Sequence, residues 1–163
     1  MHRNCSRLLS VLALIALVAG CGFQLRGSTT MPDRFNPVFV EPGEMSPEQL
    51  VTLKGLLRRA SARMASAGDD GTRLYVSYSA SPPRRLVQSS PGAIELYRLD
   101  MQLQYRLLDH SGNELVPPTR LEQSTDVELD TANVLANEQR IVSAREALEK
   151  GLIRSMIFDL NRR

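Results

Sequence analysis

Two short stretches hold most of the chemical options in this 163-residue chain. In the first, Cys21 stands where an apolar run at residues 8–18 gives way through Ala19 and Gly20 to the polar stretch "GFQLRG". A cysteine there has three readings: the flank of a membrane-spanning helix, a bystander behind a cleaved secretory signal, or a lipid-attachment site. The second is "LLDHSGNELV", where Asp109, His110 and Ser111 place orienting, basic and nucleophilic groups side by side. Nucleophilic catalysis uses such groups when they lie within hydrogen-bond reach. These, however, fall in turn-forming sequence, where Asp and Ser bond the local backbone, and no oxyanion hole or pocket is evident. The chain is read as no enzyme.

Length separates the readings of Cys21. A helical span needs about 20 apolar residues, and residues 8–18 are too few. Arg3 and Arg7 precede the run without an acidic residue, and small residues follow it, which is the order of an export signal. Residues 1–20 are therefore expected to be removed. The order Val18, Ala19, Gly20, Cys21 resembles the lipobox of bacterial lipoproteins, in which the thiol takes a diacylglyceryl group and the new amine an acyl chain. Each buried CH₂ contributes about 0.8 kcal/mol, and two or more chains anchor durably where one does not. Cys21 is thus expected to tether the chain to lipid.

Without residues 1–20, 143 residues remain, with 18 basic against 18 acidic side chains. That suits one domain and gives no support to a nucleic-acid partner. Cys5 leaves with the signal and His110 is the one mature histidine, so neither a disulfide nor a cysteine or histidine metal cluster is expected. No cofactor is expected either.

The elements that must position these groups follow from periodicity. Residues 21–36 have linker composition, and a short strand is expected at residues 38–40. Ser46, Pro47 and Gln49 form a helix-start signature of N-cap, first-turn proline and capping-box partner. Leu50, Leu53, Leu57, Ala60 and Met64 then recur at helical spacing, and Gly68 is the expected stop. "TRLYVSYSA" alternates as a strand until Pro82 and Pro83 interrupt it, as at an edge or bulge. "ELYRLDMQLQYRL" alternates throughout, turning Tyr97, Leu99, Met101, Leu103, Tyr105 and Leu107 one way. After "DHSGN" a second alternating strand completes a hairpin, with Arg120, Glu122, Ser124, Asp126 and Glu128 on its polar side.

From about Ala132 the period turns helical, with Val134, Ile141, Leu148, Leu152, Met156 and Leu160 on a shared side. A helix over residues 132–160 is roughly 40 Å long, as is a thirteen-residue strand, so helix and hairpin match. The expected fold is an α/β two-layer sandwich in the order β-α-β-β-β-α. It has a four-stranded mixed sheet with two helices on one face, and residues 37–163 form its single domain.

"CGFQLRG" together with this pattern resembles the mature N-terminus and layout of the LptE family, the lipopolysaccharide-assembly lipoproteins of Gram-negative outer membranes. The likeness covers the mature chain, ending with "LANEQRIVSAREALEKGLIRSMI". It implies an outer-membrane lipoprotein, lipid-anchored through Cys21, that faces the periplasm, binds the β-barrel LptD, sits in its lumen as a plug and binds lipopolysaccharide. Gly22 after the cysteine, where lipoproteins kept at the inner membrane usually carry Asp, points the same way. For the ligand's phosphates, guanidinium groups are the natural partners, and Arg84 and Arg85 beside the proline break are the candidates. Charge and proline at a sheet edge also discourage aggregation, so edge protection stands as the other reading of the pair. The family's other basic position, near the start of the last helix, has no lysine match in "NVLANEQR", and Arg140 is not given that role. The alternative function is an outer-membrane lipoprotein serving another secretion or lipid-transport complex as scaffold or pilot.

Overall fold

A strand that meets two prolines can break and resume, and the sheet is built around such a break. The structure, a computed structural model, describes residues 30–87, 94–130 and 132–163. In order come β1 (Val38–Glu41), α1 (Pro47–Arg59), β2 (Thr72–Ala80), β3 (Arg84–Val87), β4 (Ile94–Leu108), β5 (Glu114–Asp130) and α2 (Val134–Arg162). β1 pairs parallel with β2, and the other pairings are antiparallel. The architecture is the expected mixed sheet with two helices, with five strands where four were expected. The extra one is β3. Ala80 pairs with Met101 and Arg84 with Arg98, so β2 and β3 lie end to end along the same edge of β4. Pro82 and Pro83 lack the N–H groups a ladder needs, and the strand resumes beyond them.

Helix α1 starts as its sequence dictates. Ser46 Oγ accepts from the Gln49 N–H at 3.3 Å, and Gln49 Oε1 accepts from the Ser46 N–H at 3.0 Å. Its end differs from the expectation at Gly68. The helix stops at Arg59, with Ser61 at φ 62° and the Ser61 and Ala62 amides donating to the Arg58 and Leu57 carbonyls. This is the left-handed cap usually given to glycine. The following segment then bonds β1, the Val38 amide donating to Arg63 and the Ala65 amide to Val38. Pairing with β1 competes with further helix, and the periodicity that carried on to Met64 could not show it.

The apolar faces meet in one core. Leu53 and Leu57 of α1, Leu74 and Val76 of β2, Leu99, Leu103 and Tyr105 of β4, and Leu152, Met156 and Leu160 of α2 are all buried in it. Met31 and Phe35, within the stretch read as linker, belong to it too, and the Met31 amide donates to the Ala60 carbonyl at 2.7 Å. The folded unit thus takes in the chain from Met31. Val134, assigned by period to the buried side of the last helix, is 69% exposed, because that turn extends past the core.

Candidate functional site

The hairpin decides where the candidate side chains point. Directly opposed residues of paired strands share a face, and the register Arg84–Arg98–Asp126 puts those three on the open face of the sheet. Arg85 opposes Tyr97, on the helix-covered face. The side chains of the two arginines therefore project to opposite faces of the sheet. They lie in a strand and not in a loop, and they do not form a joint pincer.

Their partners differ accordingly. Arg85 Nη1 lies 3.1 Å from Glu95 Oε1, and Tyr97 Oη donates to Glu95 Oε2 at 2.8 Å. Glu95 is only 9% exposed. The Tyr97 hydroxyl holds its carboxyl below the usual range against the opposing effect of burial, and Arg85 adds to that. The Arg84 side chain has no hydrogen-bond partner among the described residues, and its charge acts on Asp126. Sequence reasoning missed Glu95. A signal existed, since it shares the parity of Tyr97 and Leu99 and puts a carboxylate on an otherwise apolar side.

Two ion pairs join charges on the open face. Arg98 grips Asp126 with two hydrogen bonds, 2.7 and 2.9 Å long, the bidentate fork that guanidinium geometry favours. Arg120 lies 3.7 Å from Glu122, and the Arg106 guanidinium sits 4.6 Å from the centroid of Tyr75. A cleft of about 300 Å³ opens on the same side, lined by Glu41, Glu44, Tyr75, Gln104, Arg106 and Pro118 among others. What this face offers is hydrogen-bonding groups interspersed with charges of both signs.

At the hairpin turn, Asp109 Oδ1 accepts from the Ser111 and Asn113 amides, each at 2.8 Å, and Oδ2 from Asn113 Nδ2 at 2.8 Å. These bonds, the Asn113 side chain foremost, hold its carboxyl below the usual range. Gly112 at φ 87° supplies the left-handed residue the turn requires. The carboxylate that would orient His110 thus holds the turn together.

Arg140 Nη1 donates to the Glu128 carbonyl at 3.2 Å, and Asn137 exchanges two hydrogen bonds with the Asp130 backbone, 2.6 and 2.9 Å long. These residues dock the first turns of α2 on the end of β5. Cys21, with the rest of residues 1–29, lies outside the described residues. Among the described residues no helix is long and apolar enough to cross a membrane, and no cluster of His, Cys, Asp or Glu could hold a metal ion.

No protein-family model and no curated protein sequence matches the chain. Solved structures do match. A minor lipoprotein from Acinetobacter baumannii is 18% identical, with a TM-score of 0.62 over 78% of this chain and 92% of that one. A lipoprotein B from Nitrosomonas europaea is 17% identical, with a TM-score of 0.64 over 86% of this chain and 90% of that one. The chain has the fold of these bacterial lipoproteins. The rare lipoprotein B from Shewanella oneidensis, 17% identical, aligns at a TM-score of 0.51 over 78% of this chain and 87% of that one. At such identities the likeness is one of backbone architecture. The charge pairs on the open face are read from this chain's own residues.

Proposed function

We propose that the chain is an outer-membrane lipoprotein, anchored through acylated Cys21, that binds and plugs the LptD β-barrel, supports its assembly and assists lipopolysaccharide delivery to the cell surface. The observation that carries this reading is a lipoprotein fold standing behind an export segment whose residues 18–21 resemble a lipobox. The polar open face, with charges of both signs, supports it further. Large outer-membrane barrels have polar interiors that a separate element can fill, and a plug needs hydrogen-bonding groups without strong net charge. Purification of the full chain from detergent-solubilised outer membranes is expected to recover LptD, and mass spectrometry to show an acylated Cys21. Recovery of a different barrel or secretion complex would overturn the LptD assignment. An unmodified mature N-terminus would overturn the anchor.

For lipopolysaccharide, the strand geometry ranks the two arginines. Arg84 is free to chelate a phosphate, whereas Arg85 must first release Glu95. Hydrogen bonds to charged groups contribute about 1.5–3 kcal/mol, so Arg84→Glu should weaken binding by about tenfold or more, and Arg85→Glu by less. The Arg84 effect should shrink at high salt. Equal, salt-independent losses from both, or no loss from either in folded protein, would return the pair to edge protection.

A further inference from the structure

The sheet has two outer edges, and they are blunted to different extents. Along the β2–β3 edge, β1 covers residues 72–75, Pro82 and Pro83 interrupt the ladder, and a register shift follows between Arg85 and Val87. These are ordinary devices against edge-to-edge pairing. The opposite edge is β5, a 17-residue strand that pairs with β4 alone among the described residues; Arg140 and Asn137 of α2 bond its backbone at Glu128 and Asp130, which leaves residues 119–127 as its open stretch. Its prolines, Pro117 and Pro118, stand near its start, and residues 119–130 contain no proline, glycine or lysine. The register shifts of the β4–β5 ladder lie next to the turn, leaving residues 119–130 in regular register. On the helix side, Leu121 and Val127 are only partly buried against the core, as expected of a sheet that stops one strand short.

The side chains of β5 favour one occupant. Pairing β5 antiparallel with a second copy about a two-fold axis keeps both open faces on the same side and opposes even-numbered residues to even-numbered ones. Centring the axis on residue 122 or 126 sets a carboxylate against its own copy. Centring it on 124 opposes Glu122 to Asp126, and on 125 opposes Glu122 to Glu128. Like charges directly opposite are destabilising. Centring it on Gln123 opposes no like charges, sets Glu122 against Ser124, and pairs Arg120 with Asp126 twice over. Asp126 already accepts two hydrogen bonds from Arg98, and a carboxylate has about four acceptor sites, so a second guanidinium can be accommodated. We propose that two copies of this chain associate through β5, antiparallel about Gln123, to form one continuous sheet. The association is one of copies not seated in a barrel, and it does not use the lipid anchor.

Register-specific disulfide formation tests it in cells that make the full chain in excess over any barrel. Two differently tagged copies, one with Glu122→Cys and the other with Ser124→Cys, should cross-link severalfold more than either variant with itself, and more than a chain without an introduced cysteine. Adding Arg120→Asp to both copies should reduce the cross-linked dimer by about tenfold, because two attractive pairs become repulsive. Ser79→Cys on the β2–β3 edge should give none. The proposal is overturned if mixed and single variants cross-link alike, if Arg120→Asp changes nothing, or if the β5 cysteines link to a different polypeptide in place of the second copy.

Discussion

The two halves of α2 lie along the same hairpin and share the same helical period, yet they are buried very differently. In the second half Leu148, Leu152, Ile153, Met156, Ile157 and Leu160 are 0–6% exposed. In the first half Val134 and Leu135 are each 69% exposed and Val142 is 54% exposed, while Ile141 and Ala144 are only partly buried. The difference lies in what stands beside the helix. The second half shares its layer with α1 and its sheet with β2, whose Leu53, Leu57, Leu74 and Val76 close the core. The first half covers the far end of the hairpin, where β3 is the neighbouring strand and all four of its residues are exposed. An apolar stripe is buried only where neighbours flank it on both sides. The molecule is a dense core with a thinner blade extending from it.

The largest expected effect tests that contrast directly. Leu152→Ala should cost about 2–5 kcal/mol, the range for large-to-small changes in a packed core, and Ile141→Ala well under half as much, because water can reach the gap. Denaturant midpoints at constant m-value measure both. Equal costs would mean that the blade is as tightly packed as the core.

Next come the polar ties at the two ends of the helix. In the core half, buried Tyr105 donates its hydroxyl to Asp159, which also accepts from Arg163 Nε at 2.8 Å. Burial first, then Asp159, pushes the Tyr105 phenol up to about 12. In the blade, Asn137 holds the Asp130 backbone. Tyr105→Phe should cost about 1–2 kcal/mol globally. Asn137→Ala should mainly speed amide exchange in the first turns of α2, leaving the core protected. Asp159 sharpens the test. Burial pushes its carboxyl up, but Tyr105 and Arg163 outweigh it and hold the group below the usual range. Its contribution is therefore present above the unfolded value of about 3.9 and lost as pH falls through the depressed folded value. The deficit of Asp159→Asn should fade in that acid window.

The smallest effect lies where the halves meet. Glu149 Oε1 and Tyr78 Oη are both buried without a hydrogen-bond partner among the described residues. Burial pushes the Glu149 carboxyl up, Lys150 pulls it back and Glu146 adds to the rise. A raised folded value means the contribution is intact below about 4.3 and is lost as pH rises through the folded value. Glu149→Gln should therefore raise the unfolding midpoint at pH 7 and match the parent near pH 4. An unchanged midpoint at pH 7 would show that water reaches the carboxylate and that the blade begins at or before Glu149.

Much of this architecture is legible in the residues themselves. Ser46 and Gln49 mark the start of α1, because capping is a local exchange of hydrogen bonds. The faces of β4 follow from a period of two, and the hairpin turn from Asp109, Asn113 and Gly112. The break at Pro82 and Pro83 was visible too, since a missing N–H is a property of the residue. All of these are interactions among residues close in sequence, which the chain carries wherever it folds.

Tertiary structure decided what depends on distant neighbours. The strand beyond the break resumed because β4 is long enough to pair with both β2 and β3. The end of α1 was set by β1 capturing residues 63–65, with Ser61 in place of a glycine stop. Arg84 and Arg85, a natural pair on paper, went to opposite faces once their strand paired, and Glu95 then claimed one of them. The apolar period of α2 ran evenly from Val134 to Leu160, and only the position of α1 and β2 beside it determined which half became core. Periodicity records which side of an element is apolar. Burial requires a second surface, supplied here by segments far away in the chain, as Leu53 of α1 is from Leu160 of α2.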